Sequence, residues 1–265
     1  MKLVATAGYI PTSFRTVSRF GLVRARTIAE AVAAIADARA PAVLAGGTDL
    51  PARFNEGFAP SDLIDVSRVG ALREIKIADD ALEIGALVTH AAGSSHALIT
   101  QHLPSFGAAW RRIANVRVRL SATIGGNLMA RRTRYEGAIL LSALSARLRF
   151  ESKTGVREIA VESNWSTDAD RDALLTTIVI PLRRGLRMDY ARDLRPIMTQ
   201  AVVIEDYSPG RVVTATEFIV PRIRRLKDDK AEGSLECGDP VTSDTYLRKV
   251  SETLLVRQLE RVRRQ

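Results

Sequence analysis

Two adjacent-glycine turns constrain this chain more than any other feature. One lies in "AVLAGGTDL", Ala42 to Leu50, and the other in "VRLSATIGGNLMARRTRYEG", Val118 to Gly137. Each pair follows an apolar approach. Without a Cβ in the way, backbone amides at such a turn reach an anion closely, and successive amides form a nest around phosphate oxygens. Thr48, Thr123 and Asn127 add neutral hydrogen-bonding groups beside the glycines. Convergence of both loops on one pyrophosphate is one reading; two tight turns that need positive φ is the other. Neither a GxxxxGK loop nor a GxGxxG fingerprint is present.

The 265 residues, 46% hydrophobic, are enough for one large domain or two modest ones. The longest apolar stretches, such as Ala138 to Leu144, fall far short of the ~20 residues needed to span a bilayer, so no membrane span is expected. The N-terminal "MKLVATAGYIPTSF" has one lysine and an apolar run too short for a secretory signal, which predicts a soluble, cytoplasmic protein. A single cysteine, Cys237, excludes an intrachain disulfide framework and a cysteine-ligated iron–sulfur cluster held by this chain alone. Net charge is +9, which calls for an anionic partner. Aromatics make up only 5% and no helix-turn-helix, zinc-finger or RNP-like pattern occurs, so nucleic acid is not the expected one. Acidic subunits, a phosphorylated cofactor or plain solvation fit the charge better.

Thr27 and Glu30 form a capping box, and Ile28, Ala31, Val32 and Ile35 then share one face, predicting a helix over 27–39 that Pro41 ends. "AVLA" and "DLIDVS" read as strands, and residues 74–86 as a hairpin around Asp79-Asp80, together a small mixed sheet. Residues 89–115 read as helix in two pieces broken near Pro104, with Trp110 and Ile113 inward. "YEGAILLSALSARLRF" predicts a helix leading into a strand that pairs with "VREIAVES", and the polar "SNWSTDADRD" marks a candidate boundary. Beyond it, "ALLTTIVIP" is a strand stopped by Pro181. A second unit follows, with strands in "IMTQAVVIED" and "RVVTATEFIV" and a closing amphipathic helix from Thr245 to Arg264 that aligns Leu247, Val250, Leu254 and Leu259 behind a cap at Ser243 or Asp244.

"LAGGTDL", "LIDVS", "EIGALVTH" and "TIGGNL", in this order and at these intervals, resemble the FAD-binding medium subunit of the molybdenum hydroxylases, the family of carbon monoxide dehydrogenase and xanthine dehydrogenase. The likeness is strong over residues 1–180 and weak beyond. It implies an α+β fold: a two-lobed FAD-binding domain of the vanillyl-alcohol oxidase type over 1–180, with lobes of about 1–55 and 56–180, then a small C-terminal α+β domain over 181–265. Matched by motif, Ala45, Gly46, Gly47, Thr48, Asp49 and Leu50 correspond to the first pyrophosphate loop, and Thr123, Ile124, Gly125, Gly126 and Asn127 to the second. Gly85 and Thr89 fall in a motif bordering the cofactor, and Ile113 and Ala114 in the stretch that approaches the flavin ring in relatives. Where the family commonly has an FAD-contacting aspartate this chain has Glu136. Thr48 stands where relatives with linked flavin often carry histidine, so the FAD is expected to be noncovalent. Arg192 or Arg195 falls where the family marks the start of its last domain.

The resemblance further implies an oxidoreductase subunit that passes electrons from a [2Fe-2S] small subunit through FAD to an external acceptor, with molybdopterin on a large partner subunit, in a heterotrimer or its dimer. A stand-alone flavin reductase and a flavin-free assembly module with a basic surface are the alternatives. The resemblance identifies no catalytic side chain on this subunit.

Other polar residues carry weaker signals. Seven arginines and no carboxylate occur from Arg111 to Arg134; they read either as a field that stabilises pyrophosphate, reduced flavin or an acidic partner, or as a solvated face. His90, His96 and His102 are six residues apart, which puts them on no common helical face, so no metal site is expected. Asp168, Asp170 and Asp172 lack an EF-hand glycine and read as a loop or helix start.

Overall fold

The structure is a computed structural model that describes residues 17–168, 170–192, 198–206, 208–216, 220–233, 235 and 243–265. Cys237, Arg195 and the N-terminal stretch lie outside the described residues.

The first lobe comprises β1 (Gly21–Arg24), α1 (Ile28–Asp37), β2 (Pro41–Leu44), α2 (Leu50–Asn55) and β3 (Asp62–Asp65). Its three strands are parallel in the order β1-β3-β2. Thr27 caps α1 by accepting the Glu30 amide at 3.1 Å, while the Glu30 carboxylate accepts the amide of Arg26, one residue upstream of the reciprocal partner the capping box implies. Ala31, Val32 and Ile35 of α1 pack on Ala25, Ile64 and Val66. Central β3 is apolar on both faces, since Leu63 packs instead with Ala42, Leu50 and Phe58. With β3 in the middle of this sheet, the first lobe runs through Asp65 rather than ending near residue 55.

The second lobe opens with β4 (Ile75–Ala78) and β5 (Ala81–Gly85), joined through Asp79 and Asp80, whose φ values of 47° and 59° suit a tight hairpin. This hairpin joins a separate antiparallel sheet, so the mixed sheet does not form. Six short helices follow: α3 (His90–Ser95), α4 (Ala97–His102), α5 (Pro104–Trp110), α6 (Val116–Ser121), α7 (Ile124–Met129) and α8 (Gly137–Ala143). Residues 90–110 thus hold three helices instead of two, because the chain also breaks at His96, where Nδ1 accepts the Leu98 amide and starts α4. Then come β6 (Arg147–Ser152), β7 (Gly155–Ala160) and β8 (Ala173–Pro181), giving the sheet order β4-β5-β8-β6-β7. β8 lies between β5 and β6, so "SNWSTDADRD" falls between two strands of one sheet rather than at a boundary, and the chain leaves the sheet only after Pro181. Every residue of α8 is buried, in a core that this lobe shares with the C-terminal portion of the chain.

The C-terminal portion is an antiparallel sheet of β9 (Arg187–Arg192), β10 (Met198–Glu205), β11 (Ser208–Thr216), β12 (Arg222–Lys227) and β13 (Lys230–Ala231), followed by α9 (Asp244–Arg263). Ser243 Oγ caps α9 by accepting the Tyr246 amide. One sheet face contributes Met188, Tyr190, Ala201, Val203, Val213 and Ala215 to the core of the second lobe, and the other packs Val202, Val212 and Leu226 on Leu255 and Leu259 of α9. The buried face of α9 is Leu247, Ser251, Leu255, Gln258, Leu259 and Val262; Val250 and Leu254 sit at its margin, a rotation from the predicted stripe. The rotation follows from a buried polar network. Gln200 donates to Gln258 Oε1 at 2.9 Å and accepts from Ser251 at 2.6 Å, and Arg224 donates to Ser251 Oγ at 2.6 Å. Such groups need partners once desolvated, and the network fixes helix register. Among the described residues, no helix is long and apolar enough to cross a membrane.

Candidate functional site

The two glycine segments meet in a cleft of about 530 Å³ between the first and second lobes. From the first segment the wall takes Leu44 through Leu50, and from the second Thr123, Gly125, Gly126, Met129, Ala130, Arg131 and Arg132; Leu72, Ala86, Leu87 and Leu174 supply an apolar floor. The reason the segments meet is local. A Cβ on Gly46 would lie 2.0 Å from the Ser121 carbonyl oxygen, so the first loop rests directly on the α6–α7 junction. A Cβ on Gly125 would lie 2.7 Å from both Cβ and O of Ala86. Only Gly47 of the four has positive φ, at 66°, with its missing Cβ facing open space beside Leu44.

The two segments differ in what they offer a ligand. The second pair sits in the first turn of a helix, after helix α6 rather than a strand, and its amides are engaged: Ile124 with Val88 O at 2.9 Å, Gly125 with Ala86 O at 3.0 Å, Gly126 with Thr123 Oγ at 3.1 Å and Asn127 with Thr123 O at 2.9 Å. A nest of free amides is therefore absent there. Among the described residues, no protein acceptor takes the amides of Ala45 through Asp49. These are the unpaired donors in the wall.

The arginine run is mostly structural. Arg111 donates to Ser94 O at 3.2 Å and Arg112 to Tyr190 O at 2.6 Å. Arg119 holds the bend before α6 through Trp110 O, Ile113 O, His90 O and Ser94 Oγ, all within 3.0 Å. Arg131 donates to Asn164 O and Asp170, each at 2.7 Å. Arg132 reaches Asp49 at 3.3 Å and both Glu56 oxygens at 2.9 and 2.7 Å. Arg117 and Arg134 make no hydrogen bond or ion pair among the described residues. Three carboxylates in the cleft wall, Asp49, Glu56 and Asp170, thus balance its three arginines, Arg53, Arg131 and Arg132, so of the two readings of the arginine run a net positive field is not found in the wall.

Several expected residues lie outside the cleft lining. Gly85 is a close-packing position, where a Cβ would sit 2.3 Å from Leu72 O, and Thr89 caps α3 and bridges to Thr123. Buried Ile113 and left-handed Ala114, φ 56°, form the bend that Arg119 clamps. Asn127 and Ile124 pack against Gly137 of α8. Glu136 is buried against Arg192, 2.9 Å away, and Tyr190; burial first, then the Glu136 charge, push the Tyr190 phenol far above its ordinary range. His90 is buried and accepts from Trp110 Nε1 at 2.7 Å, His96 caps α4, and His102 lies in the last turn of that helix. Sequence reasoning missed Phe58, Arg53, Glu56 and Asp170 as wall residues. The Arg53 guanidinium stacks 3.9 Å over Phe58, across the turn that ends α2, a contact that no periodic spacing marked.

Glu136→Gln is expected to act on stability rather than on the cleft. It weakens a charge-assisted hydrogen bond to a partly exposed Arg192, so a loss of about 1 kcal/mol in urea unfolding is expected, with ligand affinity of the cleft within twofold of wild type. A larger fall in affinity than in stability would place the carboxylate at the ligand.

Known proteins share this architecture and sequence. One chain of the carbon monoxide dehydrogenase from Hydrogenophaga pseudoflava superposes with a TM-score of 0.80 over 94% of this chain and 98% of that one; at 21% identity this shows the fold. The nicotinate dehydrogenase FAD-subunit of Eubacterium barkeri is 27% identical over 148 residues, covering 53% of this chain and 50% of its own. The xanthine dehydrogenase FAD-binding subunit of Escherichia coli O157:H7 is 32% identical over 142 residues, covering 52% and 48%. The match thus spans about half the length of these curated relatives. Residues 18–183, which hold both glycine segments and every wall residue of the cleft, match the FAD binding domain in molybdopterin dehydrogenase, and the chain belongs to that family.

Proposed function

We propose that this chain is the FAD-carrying electron-transfer subunit of a molybdenum-containing hydroxylase or dehydrogenase, receiving electrons from a [2Fe-2S] subunit and delivering them to an external acceptor, while a molybdopterin subunit oxidises the organic substrate. The observation that carries this reading is the row of unpaired amides from Ala45 to Asp49, set in a cleft that a second glycine segment closes from the opposite lobe. These residues fit a dinucleotide: the amides of residues 45–49 would hold the pyrophosphate, and the apolar floor of Leu72, Leu87 and Leu174 would exclude water from the bound group. When bound, FAD supplies the exchange between one-electron and two-electron transfer. The protein's own part is to orient it and set its electrostatic surroundings.

Partner docking has a surface of its own. From Ile84 to Tyr135 the chain contains no carboxylate, and α6 within this stretch exposes Val116 (72%) and Leu120 (65%) beside Arg117. Apolar side chains beside Arg117, which has no ion-pair partner among the described residues, suit an acidic partner surface.

Purification with added FAD tests the reading. The chain should be yellow, and acid precipitation should release the colour to the supernatant, since Thr48 offers no imidazole for a covalent link. Alone it should oxidise no purine, aldehyde, carbon monoxide or N-heterocycle, and such activity should require an iron–sulfur and a molybdopterin subunit. A colourless chain that takes up no FAD would overturn the reading; substrate oxidation by the chain alone would point to an independent flavoenzyme.

A further inference from the structure

We propose that Arg132 and Tyr135 form a clasp that positions the first glycine loop and thereby sets how long the cleft retains FAD. This rests on the functional reading above but adds residues that the glycine motifs do not contain. Asp49 and Glu56 flank α2 seven residues apart, two helical turns, so their carboxylates project from one face. Arg132 spans that face, with Nε 3.3 Å from Asp49 Oδ1 and its terminal nitrogen 2.9 and 2.7 Å from the Glu56 oxygens. The Tyr135 hydroxyl donates to the same Asp49 oxygen at 2.6 Å. A chain segment leaving α7 in the second lobe is thus fastened to both ends of the helix that follows the first loop.

The far side of the clasp is anchored and the near side is not. Arg131, at φ 50°, turns the chain out of α7 and is itself pinned to Asn164 O and Asp170, while Asn164 donates to Leu128 O at 3.0 Å. The loop it holds has little else. Among the described residues, 45–49 form no hydrogen-bonded turn and no protein acceptor takes their amides, and β2 before them is an edge strand. Gly46 rests on Ser121, a contact that stops the loop moving inward, whereas the clasp stops it moving away. Arg132 and Asp49 are half-buried while Glu56 is exposed, so salt screens the Arg132–Glu56 bond more than the Arg132–Asp49 bond. Arg132 and Tyr135 are positioning residues, acting through Asp49 and α2. Burial, with the Asp49 carboxylate adding to it, pushes the Tyr135 phenol up to about 12, so it remains a donor across the physiological range.

The test is FAD dissociation from the full-length chain, followed by the recovery of flavin fluorescence after dilution, alongside thermal melting of the apo chain. Arg132→Gln should speed release roughly tenfold to a hundredfold, and Tyr135→Phe about threefold to tenfold. Arg132→Lys, which cannot span both carboxylates, should recover only part of the loss. Asp49→Asn combined with Arg132→Gln should release FAD faster than either single variant but by less than the product of their effects, because the Arg132–Asp49 pair is shared while Tyr135–Asp49 and Arg132–Glu56 are separate. Apo melting temperatures that fall while release rates stay at the wild-type value would reduce the clasp to a structural tie and overturn the proposal. If Arg132→Gln fails to fold, Tyr135→Phe, which removes one oxygen, decides the matter alone. A wild-type chain that binds no FAD overturns the functional reading and the clasp's role with it; binding by wild type with unaltered release from the variants overturns the clasp alone.

Discussion

Gly46→Ala is expected to separate the two lobes and Gly125→Ala to push α7 off the end of β5 within the second lobe, each losing FAD, while Gly47→Ala keeps the fold. The contrast comes from what each missing Cβ would meet. At Gly46 it would stand 2.0 Å from the Ser121 oxygen and 2.9 Å from its carbonyl carbon, and both are backbone atoms that cannot rotate away. At Gly125 it would stand 2.7 Å from Ala86 Cβ and O, against the end of β5. Overpacking costs roughly 1–3 kcal/mol and occasionally more, and a clash of backbone with backbone belongs at the top of that range. Gly47 has only Leu44 Cδ1 at 3.6 Å, so alanine there adds the strain of a left-handed residue, about 1–2 kcal/mol. Gly47→Val should then lose FAD without losing the fold, since its branched side chain stands among the free amides. Thermal melting of the apo chains decides the first point: equal melting temperatures for Gly46→Ala and Gly47→Ala would show that the Ser121 contact does not hold the lobes together.

His90 is expected to make the chain acid-sensitive well above the range in which carboxylates titrate. Its side chain is 1% exposed, and burial first, then the Arg119 charge, lower it from the ordinary 6.5 to about 4. Its Nδ1 accepts the Trp110 indole proton, and a proton on that nitrogen would set two donors against each other. An unfolded His90 takes up a proton as pH falls below about 6.5, whereas the folded one does so only near 4. The stabilisation is therefore complete above pH 6.5 and is lost as pH falls toward 4, amounting to on the order of 3 kcal/mol. Urea unfolding of wild type and His90→Gln between pH 7 and 4.5 isolates this contribution, since every other group is shared. The wild-type curve should fall more steeply; parallel curves would show that His90 is not held neutral by the fold.

Elements whose local chemistry agrees with their burial were legible in the sequence. Thr27 with Glu30, Asp79-Asp80 and Ser243 each fix a helix start or a turn through their own side chains or backbone preference, and all three stand within a residue or two of the expected place. Convergence of the glycine segments was legible as well, because Thr48 and Thr123 flank both and the four ordered motifs left little freedom. Legibility failed where burial and polarity disagree. In β12 Ile223 is exposed while Arg224 is buried on Ser251 and Thr214, which inverts the usual alternation and hid the strand. The stripe on α9 was misplaced for the same reason, Gln258 occupying a position that an apolar residue would have advertised. "VRVRL" alternates like a strand, yet Asn115 caps it as a helix by accepting the Val118 amide. The engagement of the second segment's amides depends on Val88 and Ala86, some forty residues earlier, and no local pattern encodes it.

The central place of β8 sets the order in which the chain can fold as it is made. β5 pairs with β4 at once, but its other edge waits for β8, which leaves the ribosome roughly ninety residues later, on the order of 4–18 s at ordinary rates of synthesis. During that interval the six short helices have emerged, and none approaches the ~12–15 residues that an isolated helix needs to persist. The first lobe, whose sheet is complete at Asp65, is free to close early. The rest stays an open, apolar nascent chain, with the β5 edge and then the β6 edge unpaired, a natural client for chaperones, until Ala173–Pro181 arrives and zips both halves of the sheet together.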